Sequence, residues 1–264
     1  MPKINAIGIL SVGAAILFAG GCATRAPSVG SHESTAEHKH WSYEGETGPA
    51  YWGTLQPDYG LCSTGMNQSP IDIVAPVVED IPDIQFDYQM SSVVITNNGH
   101  TVQVNLPPGH SIDLDGRTYH LVQFHFHAPS EHTVRGKHAA AEMHLVHQAS
   151  DGRLAVVGML IEEGAEHAGL APLWNLLPRE KGTAVTPDLV VSLSDLLPKD
   201  RRTIRYDGSL TTPPGTEGVR WSLMVEPVTL SPTQLEVLTG ICKNNNRPVQ
   251  SLHGRAVVED SVAR

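Results

Sequence analysis

The residues of this chain best suited to chemistry concentrate between positions 100 and 147, where nine of its fourteen histidines lie. Two short patterns stand out there, His125-Phe126-His127 and Glu142-Met143-His144. Side chains two apart in a strand share a face, so in extended chain His125 and His127 point together while Phe124 and Phe126 turn to the opposite, apolar side. A helix would splay the two imidazoles. Glu142 and His144 share a face in the same way, and the connection between the segments is short enough for an antiparallel pairing that brings His144 beside the first pair. Three neutral imidazoles with one open position suit a catalytic zinc ion; a structural zinc takes four protein ligands, often including Cys, and no Cys is near. The bland alternative is three hydrogen-bonded histidines on a polar strand face. The acid two residues before the third histidine favours the metal.

The segments that must position these residues read as mostly β. Runs at 93–98, 101–106, 111–116, 120–128, 140–148 and 154–162 are short, alternating or β-branched, and bounded by Gly, Pro, Asn or Asp. Helical spacing appears only around 170–177 and 233–238. Pro107-Pro108 and Pro213-Pro214 belong to loops or sheet edges. With 40% hydrophobic, 17% charged and 5% aromatic residues, 24 Gly and 19 Pro, the 264 residues describe a turn-rich globular chain, neither disordered nor coiled-coil. Lys and Arg number 18 against 28 Asp and Glu, a net charge of −10. That balance lacks the basic footprint that neutralises phosphates and excludes nucleic acid as an expected partner.

The N-terminus is a separate object. Lys3 precedes an apolar run over 4–18, which ends in Ala19, Gly20 and Gly21 before Cys22. This predicts a signal peptide over 1–21, the run being short of the ~20 residues of a membrane span. Cys22 after small residues resembles a lipoprotein cleavage motif, in which the thiol is acylated and becomes the new first residue; Ala19 stands where such motifs prefer Leu. Residues 23–39 hold one Val and no other large apolar group, too little to offset ordering entropy. The expected layout is therefore a signal peptide (1–21), a lipid-anchored flexible tether (22–39) and one domain (40–262). The chain is expected to be exported and held to a membrane on the periplasmic side of the cell envelope. His32, His38 and His40 read as solvated linker histidines.

The segments QFHFHAPSEHT, AEMHLVH, YDGSLTTPPGTEGVRW and NNRPVQ, with NNGH and NQSPIDI, recur in the order and spacing of an alpha-class carbonic anhydrase. The chain resembles that family over about Trp41 to Glu259. The resemblance implies a single domain on a large, twisted, mainly antiparallel sheet with small peripheral helices. It implies reversible hydration of carbon dioxide to bicarbonate by zinc-bound hydroxide, with one zinc per chain on His125, His127 and His144. Gln123, Glu142 and the backbone carbonyl of Asn245 would hold the remaining ring N–H groups. Thr211 would orient the hydroxide while donating to Glu131. Val146, Val156, Leu210, Val219 and Trp221, beside Thr212, would form the carbon dioxide pocket. His100 would carry the proton outward, a task suited to a group that titrates near ambient pH, and Tyr43, Asn98 and Gln103 would order the waters between.

Exported bacterial members of that family commonly pair a Cys in the LCSTG segment with a Cys directly after TTPP; here Cys62 is present and Gly215 occupies the second position. Cys62 is left to bond Cys242 or to remain free. Two further readings stay open on sequence. His125-x-His127-x3-Glu131 also fits the first metal motif of the cupins, although their second motif is absent. A catalytically silent anhydrase-like binding module is the other, and such modules typically lose zinc histidines that this chain keeps.

Overall fold

The structure is a computed structural model that describes residues 40–261; the expected signal peptide and tether, Cys22 among them, lie outside the described residues. Among the described residues, thirteen strands form one sheet. Ten make its continuous path: β1 (Val77–Glu79), β2 (Val94–Asn97), β3 (Val102–Asn105), β4 (Arg117–His127), β5 (Ala141–Gln148), β6 (Leu154–Glu163), β7 (Ala184–Val185), β8 (Thr203–Ser209), β9 (Glu217–Met224) and β10 (Val258–Asp260). Their order across the sheet is β7-β2-β3-β4-β5-β6-β9-β8-β10-β1. Pairing is antiparallel except at β6–β9 and β10–β1.

Alternation along the central strands separates two faces. Phe124 and Phe126 of β4, Met143 and Leu145 of β5, and Val157 and Met159 of β6 enter the main core, where they are buried. Their neighbours in sequence, His125, His127, Glu142, His144 and Val156, take the other face. The β4–β5 register carries one irregularity, because Gln123 pairs with Val146 but Leu121 pairs with His147, which leaves Val122 as an extra, exposed residue. This bulge changes parity: Tyr119 and Leu121 reach the core before it, Phe124 and Phe126 after it.

Helices are short and peripheral: α1 (Trp52–Leu55), α2 (Leu61–Thr64), α3 (Ala171–Trp174) and α4 (Pro232–Ile241). The last is the best specified. Ser231 accepts from the Gln234 backbone N–H while the Gln234 side chain accepts from that of Ser231, and Pro232 opens the first turn. Leu235 and Leu238 then pack it onto the core.

Candidate active site

His125 lies directly opposite His144 across β4 and β5, and His127 opposite Glu142. On its other side His125 faces Gln103 of β3. The three imidazoles form one group whose ring nitrogens come within 4.8 Å of one another. In each ring one nitrogen is already committed. His125 Nδ1 donates to Gln123 Oε1 at 2.9 Å, His127 Nδ1 to the Asn245 carbonyl at 2.6 Å, and His144 Nε2 to Glu142 Oε1 at 2.8 Å. These bonds fix the tautomers, so the remaining nitrogens, Nε2 of His125 and His127 and Nδ1 of His144, carry lone pairs.

Electrostatics agree with that assignment at His125 and His127. Burial holds His125 well below the usual histidine pKa and lowers His127 as well, so both rings are neutral near pH 7. Burial opposes ionisation of Glu142, but the charges and hydrogen bonds of His132 and His144 outweigh it and hold the carboxyl well below its ordinary value. That carboxylate in turn raises His144 against its own burial. His127 Nε2 is buried with no hydrogen-bond partner, as is Glu131 Oε2 beside it at 3.5 Å. A cation between the free nitrogens satisfies the first, and three imidazoles fit zinc with an open position.

Glu142 is held more elaborately than its sequence context suggested. Oε1 accepts from the rings of both His144 and His132 (2.8 and 2.7 Å), and Oε2 from the backbone N–H groups of Glu131 and His132 (2.9 and 2.8 Å). His132 Nε2 then meets the Tyr206 hydroxyl at 2.6 Å, and that hydroxyl meets Ser69 Oγ at 2.9 Å. Sequence reasoning missed His132 and Tyr206. The available signal was a histidine immediately after Glu131 within the SEHT segment.

Glu131 Oε1 accepts the backbone N–H of Arg247 at 2.8 Å. Thr211 is buried at the turn after β8, but no hydrogen bond joins it to Glu131 among the described residues. The Thr212 carbonyl accepts from Gly215 N–H at 2.9 Å, which closes this turn. A Cβ on Gly215, whose φ is +70°, would stand 2.8 Å from Cys62 Sγ. The position is thus beside Cys62, yet it supplies no thiol, and both Cys62 and Cys242 are free and buried.

The five residues expected to form an apolar pocket share one cluster, distinct from the main core: Val156, Val219 and Trp221 are buried in it, and Val146 and Leu210 pack against it. Val146 pairs with Val156 and Val156 with Trp221, so the three form a row across β5, β6 and β9. The Trp221 ring lies 4.9 Å from that of His144.

His100 follows a turn in which Asn98 Oδ1 accepts both the His100 and Thr101 backbone N–H groups at 2.9 Å. Gly99 in this turn has φ +86°, and Lys181 packs where its Cβ would be. The His100 ring stacks flat on Trp41, with the His40 ring 4.8 Å away. Burial, with His40 and Lys181 beside it, lowers its pKa to about 4. The expectation of a group titrating near ambient pH is therefore corrected for this stacked position. Gln103 donates to Asn105 Oδ1 at 2.6 Å, and Tyr43 packs edge-on against Trp41 and Trp52, its hydroxyl kept neutral by burial.

The family model for eukaryotic-type carbonic anhydrase matches residues 47–261. A carbonic anhydrase of Klebsiella pneumoniae is 45% identical over 223 residues, covering 83% of this chain and 91% of that one. One from Pectobacterium carotovorum is 42% identical over 226 residues, covering 85% and 93%. Among solved structures, the alpha-carbonic anhydrase of Thermovibrio ammonificans in complex with sulfanilamide superposes with a TM-score of 0.81 at 43% identity, over 83% of this chain and 98% of that one. This chain belongs to the alpha-carbonic anhydrase family, whose enzymes hydrate carbon dioxide.

Proposed function

We propose that this carbonic anhydrase works with one zinc ion held by His125 Nε2, His127 Nε2 and His144 Nδ1. The observation that carries this reading is the complementary commitment of the three rings: each spends one nitrogen on an acceptor and leaves the other facing the same point. Zinc there supplies a Lewis acid that makes water nucleophilic at neutral pH, chemistry for which this family is the reference example.

The protein's own groups do the rest. Glu131 Oε2, a buried acceptor without a donor, is suited to take the Thr211 hydroxyl proton, which leaves the Thr211 oxygen to accept from the attacking water and aim its lone pair. The apolar row Val146, Val156 and Trp221, with Leu210 and Val219, receives carbon dioxide next to His144. His100 takes the released proton outward once its ring leaves Trp41 for water, and Tyr43, Asn98 and Gln103 line that route.

The decisive measurement is zinc content together with carbon dioxide hydration by the purified protein. One zinc per chain and hydration far above the buffer rate are expected, and His144→Ala should lose both. Iron in place of zinc, or full wild-type activity in that variant, refutes the assignment. For the N-terminus we propose export and lipidation at Cys22, placing the enzyme on the periplasmic side of the envelope. Mass spectrometry of the mature protein should find an acylated Cys22 as the first residue; any other, unmodified first residue overturns this.

A further inference from the structure

His100 is held by its main chain and not by its ring. Among the described residues no hydrogen bond reaches the imidazole, which stacks on Trp41 beside the His40 ring, whereas its N–H donates to Asn98 and its carbonyl accepts from Asn245 Nδ2 at 2.9 Å. The second of these bonds joins two parts of the site. Asn245 is buried, and every polar atom of its carboxamide is used: Oδ1 accepts the Ala128 N–H at 2.8 Å, and Nδ2 donates to the Phe126 carbonyl at 3.0 Å as well as to His100. Its own backbone carbonyl takes Nδ1 of His127. One residue therefore spans from a metal-binding imidazole to the backbone of the proton carrier, and it grips β4 at Phe126, between His125 and His127.

We propose that the Asn245 side chain is a positioning residue for proton export, fixing the turn that carries His100 at a set distance from the strand that carries His125 and His127. The inference rests on the proposed role of His100. A proton moving along ordered waters needs both ends of the path held, because an ångström of drift breaks a hydrogen bond. A fixed pivot with an unbonded ring meets that need, since the imidazole can swing while its Cα stays. Thr101, the next residue in the chain, is a second tie between turn and strand, its Oγ1 donating to the Phe126 carbonyl and accepting the Phe126 N–H, whereas Asn245 holds the carbonyl of His100 itself.

The test is Asn245→Ala, which keeps the backbone carbonyl that holds His127 and removes all three side-chain bonds. Net hydration in weak buffer should fall about tenfold further than carbon dioxide–bicarbonate exchange at equilibrium, with zinc content retained, and added imidazole should close the gap. In a His100→Ala background the same change should add no further gap, as expected of residues acting through one another. Asn245→Asp, which keeps the size and the Oδ1 acceptor but loses both donors, should behave alike if the alanine variant folds poorly.

A readout independent of turnover comes from the zinc-free protein. The ring-proton NMR signals of His100, displaced by the face of Trp41, should move toward solvent-exposed positions in either Asn245 variant. Equal losses of exchange and hydration, loss of zinc, an unmoved His100 signal, or a gap that adds in full to that of His100→Ala would each overturn the inference. If His100→Ala alone shows no gap, the carrier role itself fails. If it shows one and neither Asn245 variant does, only the present inference fails.

Discussion

The imidazole of His100 lies parallel to the indole of Trp41, with ring centroids 3.7 Å apart and 12° between the planes. This contact shields one face of the ring from water and so contributes to the burial that, ahead of His40 and Lys181, lowers its pKa to about 4. Trp41→Ala should therefore raise the His100 pKa toward the ordinary value of 6.5, read by NMR titration. A stronger base accepts a proton more readily, so net hydration in weak buffer should rise with it. A pKa that stays near 4 would place the cause elsewhere, in His40 or Lys181.

Glu142 gives a second expectation. Its negative charge makes His144 a better donor to a cation, and its two oxygens collect four N–H groups. Glu142→Gln removes the charge and turns an amide NH2 toward existing donors. Zinc affinity measured by chelator competition should drop by about 10- to 100-fold. Unchanged affinity would show that the carboxylate only fills space.

Thr211→Val is nearly isosteric and removes only the hydroxyl. Zinc should remain bound while hydration falls by about a hundredfold, and imidazole buffer should not restore it, because the defect lies in aiming the water and not in exporting its proton. Hydration at the wild-type rate would refute the orienting role.

Acid stability should depend on His147, which is buried in the main core on the far face of β5 and meets the Tyr88 hydroxyl at 2.6 Å. Burial depresses its pKa from 6.5 to about 3. Since the unfolded chain binds the proton first, the neutral form supports folding fully above pH 6.5, and that support is lost as the pH falls toward 3. At pH 5 the loss is about 2 kcal/mol. His147→Gln, which cannot titrate, should show a flatter fall in denaturant stability between pH 6.5 and 4 than the wild type; parallel curves would refute this.

The two histidine-bearing strands were legible because their signal is local: alternation two residues apart reports a shared face wherever the chain is extended. β8 and β9 were not recognised: Asp207 and Gly208 break the pattern of β8, and in β9 the alternation of Val219, Trp221 and Leu223 with Arg220 and Ser222 is short and follows the turn-like Gly215 and Gly218. The grouping of Val146, Val156, Leu210, Val219 and Trp221 came from the family resemblance, and the register of β5, β6 and β9 shows how three of them come to lie in one row. Least legible were contacts through the main chain. The N–H of Arg247 on Glu131 leaves no mark in residue type, and the carbonyl of Asn245 on His127 was reached only through the family resemblance. Likewise, a lowered pKa at His100 follows from burial that only the folded chain creates, by bringing in Trp41 from 59 positions away in sequence, together with His40 and Lys181.

The bulge at Val122 works as a frame shift written into a strand. Upstream of it odd-numbered residues of β4 enter the core; downstream they are His125 and His127, the proposed zinc ligands. What matters at position 122 is therefore that a residue is present, not which one, because its side chain is exposed. Most substitutions there should pass unnoticed. Deleting the residue would put the two halves of the strand back in phase, driving His125 and His127 into the packed apolar layer or Tyr119 and Leu121 out of it.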